Sequence, residues 1–522
     1  MSLLAVALSL QLLALGEAAA SPSVPPPPSV GQPANSGGQA FTPPAETGRF
    51  LAAAEVPEPV GSRTDFQLSA STLELLRKKG ILSEKEYREA LEDLIEVGSR
   101  AKREPTVVLG HFAATMYGFV EADSIHDSTR SFVDLAGMGA IGQPGTVGGD
   151  NGRTMFGVRN SRLGFHLQAP ETNGIRTSGL LEMDFLGNQP GTPPKPAFGE
   201  APFWNNPTFR VRHFILKADT DYLSLWFGQT WELVGWQGAF QPNTVAIQGV
   251  PGELYARTPQ IRAVHAFKVG PTTLEVAVAA LRPPQMDDEM PDLQGGLKWS
   301  IDGWKGVQTI GATGTAITPA AVGLSGGLRQ YKLLTGASPD AFTTAEGHVV
   351  AADILLPILP AKTRKSWALT FLGEATSGTG DADLFTGLTG NAAVGAPTGY
   401  TGGSKAYAAL ADIDPGLAGF NPSGSLETID WRTLMVSAQL YLPPEGNLWI
   451  AGSYSNTYSD NISDFGSASS VWSHEIWWDL NLFADVTPST RLGLEYSHFT
   501  QTYVNGVQAP DTRVQLSAFY IF

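Results

Sequence analysis

The chain ends in Arg513-Val514-Gln515-Leu516-Ser517-Ala518-Phe519-Tyr520-Ile521-Phe522. Every second residue from Val514 to Phe522 is apolar. On the alternate positions, Arg513, Gln515 and Ser517 are polar, and Phe519 and Ile521 then break the polar pattern. A period of two predicts an extended strand with one apolar face. Such a strand fits either the edge of a soluble sheet or the closing strand of a barrel, and the rest of the chain must decide between them.

Composition narrows the class of protein. The chain has 522 residues with 58 glycines and 10% aromatics, and its 16% of charged residues is low beside the roughly 25% of ordinary soluble domains. Cysteine is absent, which excludes disulfides, thiolate metal sites and cysteine nucleophiles and suits an oxidising compartment. The net charge of -16 argues against nucleic acid as a partner. It does not fix the sign of any internal pore, because selectivity depends on which charges face inward.

The N-terminal region predicts export. An apolar run from Leu3 to Leu15 precedes the small residues Ala18-Ala19-Ala20, which indicates a signal peptide over residues 1–20. The run departs from the usual pattern because no Lys or Arg precedes Arg49. Residues 21–65 are rich in Pro, Gly and Ser and predict a disordered spacer.

A short helical segment is predicted for residues 66–104. Ser71-x-x-Glu74 and Ser83-x-x-Glu86 are capping-box patterns, each of which opens a helix. The second helix carries an apolar stripe that is too short to assert a coiled coil. The segment is interpreted either as a helical hairpin on the rim of the following domain or as a self-association element.

From residue 107 to 522 the chain alternates in the manner of a barrel. Strand-like segments are joined by connections that are short, then long, then short, which gives one opening strand, seven short-turn hairpins and one closing strand. Short turns are predicted near Asp302-Gly303 and Pro488-Ser489, among others, and long loops near residues 316–346 and 501–511, among others. An even count with all long loops at one end predicts an all-β transmembrane barrel of about 16 antiparallel strands, rather than a soluble sandwich or propeller.

Two further patterns support the membrane interpretation. The final strand, with its carboxyl-terminal aromatic residue, resembles the last strand of bacterial outer-membrane barrels. Tryptophans near strand ends fit interfacial girdles, although strand propensity alone would also place some there. The tryptophans in question are Trp226, Trp231, Trp472, Trp477 and Trp478.

Alternation assigns charged side chains to the lumen. If the apolar partners face lipid, four arginines on neighbouring strands face inward. They are Arg162, Arg210, Arg212 and Arg262, with the acidic pairs Glu121 and Asp123, and Glu182 and Asp184, nearby. A ladder of arginines in a narrow lumen would attract anions and release them. The alternative is that these arginines pair with the carboxylates and brace the wall, and both can hold at once.

Several motifs resemble the DcaP-like trimeric porins. They are Arg162-Leu163-Gly164-Phe165, Phe209-Arg210-Val211-Arg212-His213, Gly228-Gln229-Thr230-Trp231, Gly249-Val250-Pro251-Gly252, the run from Arg257 to Arg262 and the run from Tyr117 to Asp123. The resemblance implies a sixteen-stranded homotrimer in the outer membrane, with a helical N-terminal extension in the periplasm and a preference for small dicarboxylates. It also implies that the loop from Trp231 to Ala256 folds inward. Its polar points Gln241, Asn243, Gln248 and Glu253, and Arg257 at its return, would then narrow the pore. Glu121 departs from the basic or neutral residue expected there.

No catalytic motif is present in the sequence, and neither a metal site nor a cofactor is expected. The predicted function is passive diffusion of small hydrophilic solutes, preferably small anions, through an outer-membrane barrel surrounded by lipid. The alternatives are a general diffusion porin and a structural barrel that anchors the envelope, with the N-terminal segment in contact with peptidoglycan.

Overall fold

The computed structural model of the chain describes residues 106–109, 112–137, 139–187, 208–246, 249–285, 288–310, 314–334, 342–361, 365–388, 399–400, 407–408, 413–465 and 471–522. The expected signal peptide, spacer and helical segment lie outside the described residues, and so does Gln248.

The described residues form a closed antiparallel barrel, as predicted. Its sheet holds 18 strand segments. Arg153–Gly157 and Arg162–Gln168 both pair with Phe112–Asp127 and count as one interrupted wall strand. The short segment Thr106–Leu109 only extends the start of Phe112–Asp127 as a hairpin. The wall therefore has sixteen strands. In chain order the wall strands are β1 (Phe112–Asp127), β2 (Arg153–Gly157 and Arg162–Gln168), β3 (Arg176–Gly187), β4 (Thr208–Asp219), β5 (Ser224–Trp231), β6 (Arg257–Val269), β7 (Thr272–Leu281), β8 (Asp292–Ile310), β9 (Gly314–Leu334), β10 (Phe342–Leu359), β11 (Leu369–Thr379), β12 (Asp430–Leu442), β13 (Leu448–Tyr458), β14 (Trp472–Thr487), β15 (Thr490–Tyr503) and β16 (Gln508–Ile521).

The last strand closes the barrel against the first. The register runs from Phe119 opposite Ile521 to Asp127 opposite Arg513. This pairing satisfies the backbone groups of both strands and removes the free edge, which the hydrocarbon of a membrane would not tolerate. Arg513 and Asp127 are both 0% exposed and form an ion pair of 2.7 Å, so the seam is fastened on its inner face.

Three predicted connections are wrong. Strand β8 runs through Asp302-Gly303, because a bulge between Ile301 and Lys305 absorbs the turn-like residues. Most of residues 316–346 belongs to β9 and β10, because the small residues there pair with neighbouring strands. The connection near residues 501–511 is a tight turn over residues 504–507.

The outward face of the wall is apolar. Exposed apolar side chains project from strands all around the wall, as expected of a surface in contact with lipid. They include Phe214, Leu328, Val350 and Leu480. The tryptophan girdle predicted from the sequence is mostly wrong: Trp472 and Trp477 are buried inside the barrel, Trp226 and Trp231 share the inward face with arginines, and Trp478 is the exposed member. The exposed aromatics near the short-turn end include Tyr222, Trp367 and Tyr520.

Several of the described segments fill much of the lumen from within. The loop over residues 128–137 and 139–152 hydrogen-bonds to β15, where Gln501 Oε1 accepts from Ile141 N at 2.7 Å. The loop over residues 232–246 and 249–256, called the lumen loop below, crosses the interior to reach β11 and β14. The tip of the β8–β9 hairpin, residues 302–310 and 314–320 and called the hairpin tip below, packs against the inner face of the wall.

The hairpin tip is held by hydrogen bonds to nearby wall strands and to the lumen loop. Thr309 N donates to Gln439 Oε1 on β12 at 2.9 Å, and Thr370 Oγ1 on β11 donates to Val307 O at 2.6 Å. Gln308 Nε2 donates to Ala239 O of the lumen loop at 3.1 Å. The hairpin tip and the lumen loop therefore brace each other.

No helix within the described parts of the chain has both the length and the apolar character needed to cross a membrane.

Candidate functional site

A cavity of about 190 Å³ remains inside the barrel. It lies between three elements: the inner wall of β2 to β5, the lumen loop and the hairpin tip. Its charged lining residues are Arg162, Glu182, Arg212 and Glu253, and Ile310 and Gly314 of the hairpin tip line it as well. The cavity is therefore an off-centre space along one wall.

A bulge in β4 supplies the central arginine of this wall. The register with β3 shifts between Glu182 and Met183, so that Arg212 and His213, adjacent in sequence, both point inward and are buried. Strict alternation would have turned one of them to the lipid. His213 Nδ1 lies 3.0 Å from Thr230 Oγ1, which fixes the ring beside the cavity.

The wall arginines are paired with carboxylates. Arg212 Nε lies 2.7 Å from Glu182 Oε1, and its Nη1 lies 3.3 Å from Asp184 Oδ2. Arg210 Nη2 lies 2.6 Å from Asp184 Oδ2, and Arg162 Nε lies 3.6 Å from Glu182 Oε1. Three guanidinium groups thus share two carboxylates. The wall is braced and still keeps one positive charge in excess.

Arg257 adds a fourth cation to the same region. Its guanidinium stacks over the rings of Trp231 and Tyr255, with Cζ 4.8 Å and 5.2 Å from their centroids. It forms no ion pair with any described residue, and its Nη1 is buried without a hydrogen-bond partner. Tyr255 OH also accepts from Arg212 Nη2 at 3.2 Å, so the aromatic pair links the two guanidinium groups.

The lumen loop is anchored by its backbone amides to polar side chains on the far wall. Val245 N donates to Asn481 Oδ1 at 2.9 Å and Ala246 N to Glu495 Oε2 at 2.8 Å. Leu254 N donates to Glu374 Oε1 at 3.0 Å. Glu374 and Glu495 are buried in these contacts. The loop therefore covers carboxylates that would otherwise face the lumen.

The polar residues predicted on the loop lie in different places. Gln241 lines the cavity, whereas Asn243 accepts from Trp449 Nε1 at 2.9 Å, away from it. Glu253 lines the cavity, and its Oε2 accepts from Val250 N at 3.0 Å. Burial raises the pKa of Glu253 to about 8, because a desolvated carboxylate is disfavoured.

The remaining predicted residues do not line the cavity. Glu121 and Asp123 are buried on the inner face of β1, where Asp123 Oδ2 accepts from Asn160 Nδ2 at 3.1 Å. Arg262 stacks over Trp226, with its Cζ 5.1 Å from the ring centroid. The structure therefore brings Arg162, Arg212, Glu182, Gln241 and Glu253 to one cavity, with Arg210, Asp184 and Arg257 immediately behind.

Sequence reasoning missed several lining residues. His213, Trp231 and Tyr255 line the cavity, and so do Ile310 and Gly314 of the hairpin tip. A histidine directly after an arginine in a predicted strand gives no signal of a bulge, and the hairpin tip depends on contacts more than 60 residues away in sequence. Among the described residues, no group of three or more His, Asp or Glu side chains could hold a metal ion.

No protein-family model and no curated protein matches the chain. Among solved structures, the outer-membrane channel DcaP of Acinetobacter baumannii matches with a TM-score of 0.56 and 18% identity, over 80% of this chain and 99% of that one. The anion-selective porin from Comamonas acidovorans matches with a TM-score of 0.42 and 13% identity, over 79% and 100%. OmpT of Vibrio cholerae matches with a TM-score of 0.43 and 10% identity, over 80% and 100%. The resemblance inferred from the sequence is thus confirmed at the level of the DcaP barrel fold.

Proposed function

We propose that this chain is an outer-membrane porin through which small hydrophilic solutes diffuse, with a preference for small anions such as dicarboxylates. One observation carries the proposal. The cavity is bounded on one side by arginines that outnumber their carboxylate partners, while backbone amides of the lumen loop cover carboxylates of the opposite wall.

A solute in the cavity would meet more positive than negative charge. Arg162, Arg210, Arg212 and Arg257 stand against Glu182 and Asp184 along the cavity wall, an excess of two positive charges. Glu253 is the other carboxyl in the lining, and its pKa of about 8 keeps it mostly protonated at neutral pH. The local charge is therefore positive although the whole chain carries -16.

The cavity also suits passage rather than tight capture. Its volume of about 190 Å³ admits a small dicarboxylate with a few waters, each of which occupies about 30 Å³ in the liquid. A guanidinium fork matches a carboxylate, but three of these arginines already share protein carboxylates. A solute would compete for them and leave readily, which conduction requires.

The proposal places the apolar outer face of the barrel in outer-membrane lipid and the short-turn end, with the N-terminal segment, in the periplasm. It includes a homotrimer, as the family resemblance implies, and leaves contact of the N-terminal segment with peptidoglycan as a further expectation. Chemical cross-linking of the purified protein in detergent would test the trimer, because a single monomeric band at all cross-linker concentrations contradicts it.

Arg257→Gln tests the anion preference with little risk to folding, because Arg257 has no ion pair to break within the described residues. Reversal potentials across planar bilayers in a KCl gradient give the anion-to-cation permeability ratio. We expect this ratio to fall severalfold in Arg257→Gln. The matched control is Arg432→Gln, which removes an equal charge from an exposed ion pair with Asp460 and should leave the ratio unchanged.

The other outcomes separate the alternatives. A wild-type channel that conducts with a permeability ratio near one is a general diffusion porin. A folded barrel that never conducts is a structural envelope protein, and the proposed transport function is then wrong.

A further inference from the structure

A second group of positive side chains lies on the same three strands, closer to the short-turn end. Lys217 on β4 is paired in register with Trp226 on β5, and Trp226 with Arg262 on β6. All three side chains share the inward face with the cavity residues of those strands. The sequence did not single out Lys217, and it suggested a membrane-interface position for Trp226.

The ring of Trp226 is a shared platform for both cations. Lys217 Nζ lies 3.8 Å from the ring centroid, and Arg262 Cζ lies 5.1 Å from it. The indole is oriented by a hydrogen bond from Nε1 to Ser224 Oγ of 2.7 Å. Attraction of each cation to the aromatic face partly offsets the repulsion between the two positive groups.

Neither cation has an ion-pair partner among the described side chains. Arg262 donates Nε to Gln260 Oε1 at 2.9 Å and Nη2 to Trp231 O, both neutral acceptors. Asp219, two residues beyond Lys217, accepts a hydrogen bond from Ser224 Oγ. Arg212, by contrast, is paired with two carboxylates. Two adjacent unpaired cations stabilise the wall poorly and attract anions well.

We infer that Lys217 and Arg262, held on Trp226, form a second binding station for the carboxylate of a permeating anion, between the cavity and the short-turn mouth. The inference rests on the proposed function and extends it. Lys217 follows Arg212 by five residues, about 16 Å along a strand at about 3.3 Å per residue. A small anion would therefore leave one station before it reaches the next, and Trp231 joins the two, since its ring lines the cavity and its carbonyl holds Arg262.

Lys217→Gln in the full chain tests the station, with succinate as the probe. Succinate added to channels in KCl should reduce the current with a concentration dependence that reports its binding. A unit charge at about 6 Å across water changes the local concentration of an anion about threefold. We therefore expect the half-blocking succinate concentration to rise about threefold in Lys217→Gln, and comparably in Trp226→Leu.

Lys268→Gln is the matched control, because Lys268 is an exposed lysine on β6 that already forms an ion pair with Asp302. Folding of every variant is checked by its heat-modifiable mobility on gels. If Lys217→Gln behaves like Lys268→Gln while Arg257→Gln loses anion preference, the second station is wrong and the proposed function stands. If wild-type channels show neither anion preference nor block by succinate, both are wrong.

Discussion

The pair Arg212 and Glu182 allows bracing of the wall to be separated from attraction of anions. Arg212→Gln removes one positive charge and one side of a buried ion pair. The double variant Arg212→Gln, Glu182→Gln removes the pair but keeps the local sum of charges. Around the cavity, the wild-type wall has four arginines and two carboxylates, a net charge of +2. Arg212→Gln leaves three arginines and two carboxylates, a net charge of +1. The double variant has three arginines and one carboxylate and returns to +2.

The magnitudes follow from the geometry. Arg212 is 1% exposed, and breaking a buried ion pair by removing one partner costs about 3–5 kcal/mol. We expect the lower end for Arg212→Gln, because Glu182 keeps Arg162 at 3.6 Å and a hydrogen bond from Tyr117 OH at 2.8 Å. The double variant leaves no uncompensated carboxylate and should recover much of that loss.

Selectivity should follow charge instead of stability. One unit charge about 6 Å from a solute contributes about 0.7 kcal/mol at the dielectric constant of water and about 2.8 kcal/mol at an effective value of 20. For a wet cavity the lower figure applies, so the anion-to-cation permeability ratio of Arg212→Gln should fall about threefold to tenfold. The double variant should stay near the wild-type ratio.

The assay combines two measurements on the same preparations: reversal potentials in a KCl gradient and the temperature at which the barrel loses its compact gel mobility. If both variants lose selectivity equally, the pair acts by bracing and the electrostatic reasoning is refuted. If neither changes the permeability ratio, the cavity is not on the conduction path.

Three further predictions concern the inserts and the seam. The pKa of Glu253 is raised to about 8, so its contribution to loop docking is complete below its ordinary pKa and lost as pH rises through 8. The melting temperature should therefore fall more steeply from pH 6 to 9 in wild type than in Glu253→Gln, and equal slopes would contradict this role. A side chain at Gly306 would place Cβ 2.6 Å from Pro357 Cβ, so Gly306→Val should displace the hairpin tip, at about 1–3 kcal/mol, and raise single-channel conductance; unchanged conductance would mean that the tip does not obstruct the path. Arg513→Met should cost about 3–5 kcal/mol by leaving buried Asp127 unpaired, and Asp127→Leu in the same chain should restore thermal stability; no recovery would show that the pair is not what fastens the seam.

The fold was largely predictable from the sequence because its signal is local and repeated. Alternation over strand-length segments and the succession of short and long connections are properties of neighbouring residues, and they give the number of strands and the closing pair. Lipid demands that every backbone group be paired within the wall, so few other folds satisfy the same pattern. Local turn chemistry failed where long-range contacts override it. Asp302-Gly303 is a strong turn signal, yet contacts such as that of Thr309 with Gln439, 130 residues away, draw the strand past it.

The site was predictable in its charges but not in its arrangement. Alternation alone picks Arg162, Arg210, Arg212 and Arg262 for the inward face, which is where they lie. It could not show that a bulge turns His213 inward as well, or that Arg262 lies outside the cavity. Those facts depend on register between strands, and a shift of one residue reverses the face of every side chain that follows.

If solutes cross the barrel as proposed, the sign of the charge that they meet depends on the lumen loop as much as on the wall. Glu374 and Glu495 lie on strands far from the arginines, and in an empty barrel they would offset much of the arginine field. The loop amides at Leu254 and Ala246 donate to them, so the loop that narrows the lumen also keeps these carboxylates from solutes. Composition could not reveal this, because covered and uncovered carboxylates count equally in a net charge of -16. A barrel can therefore be acidic overall and still present a positive path, provided that the loop covering its acidic wall stays docked.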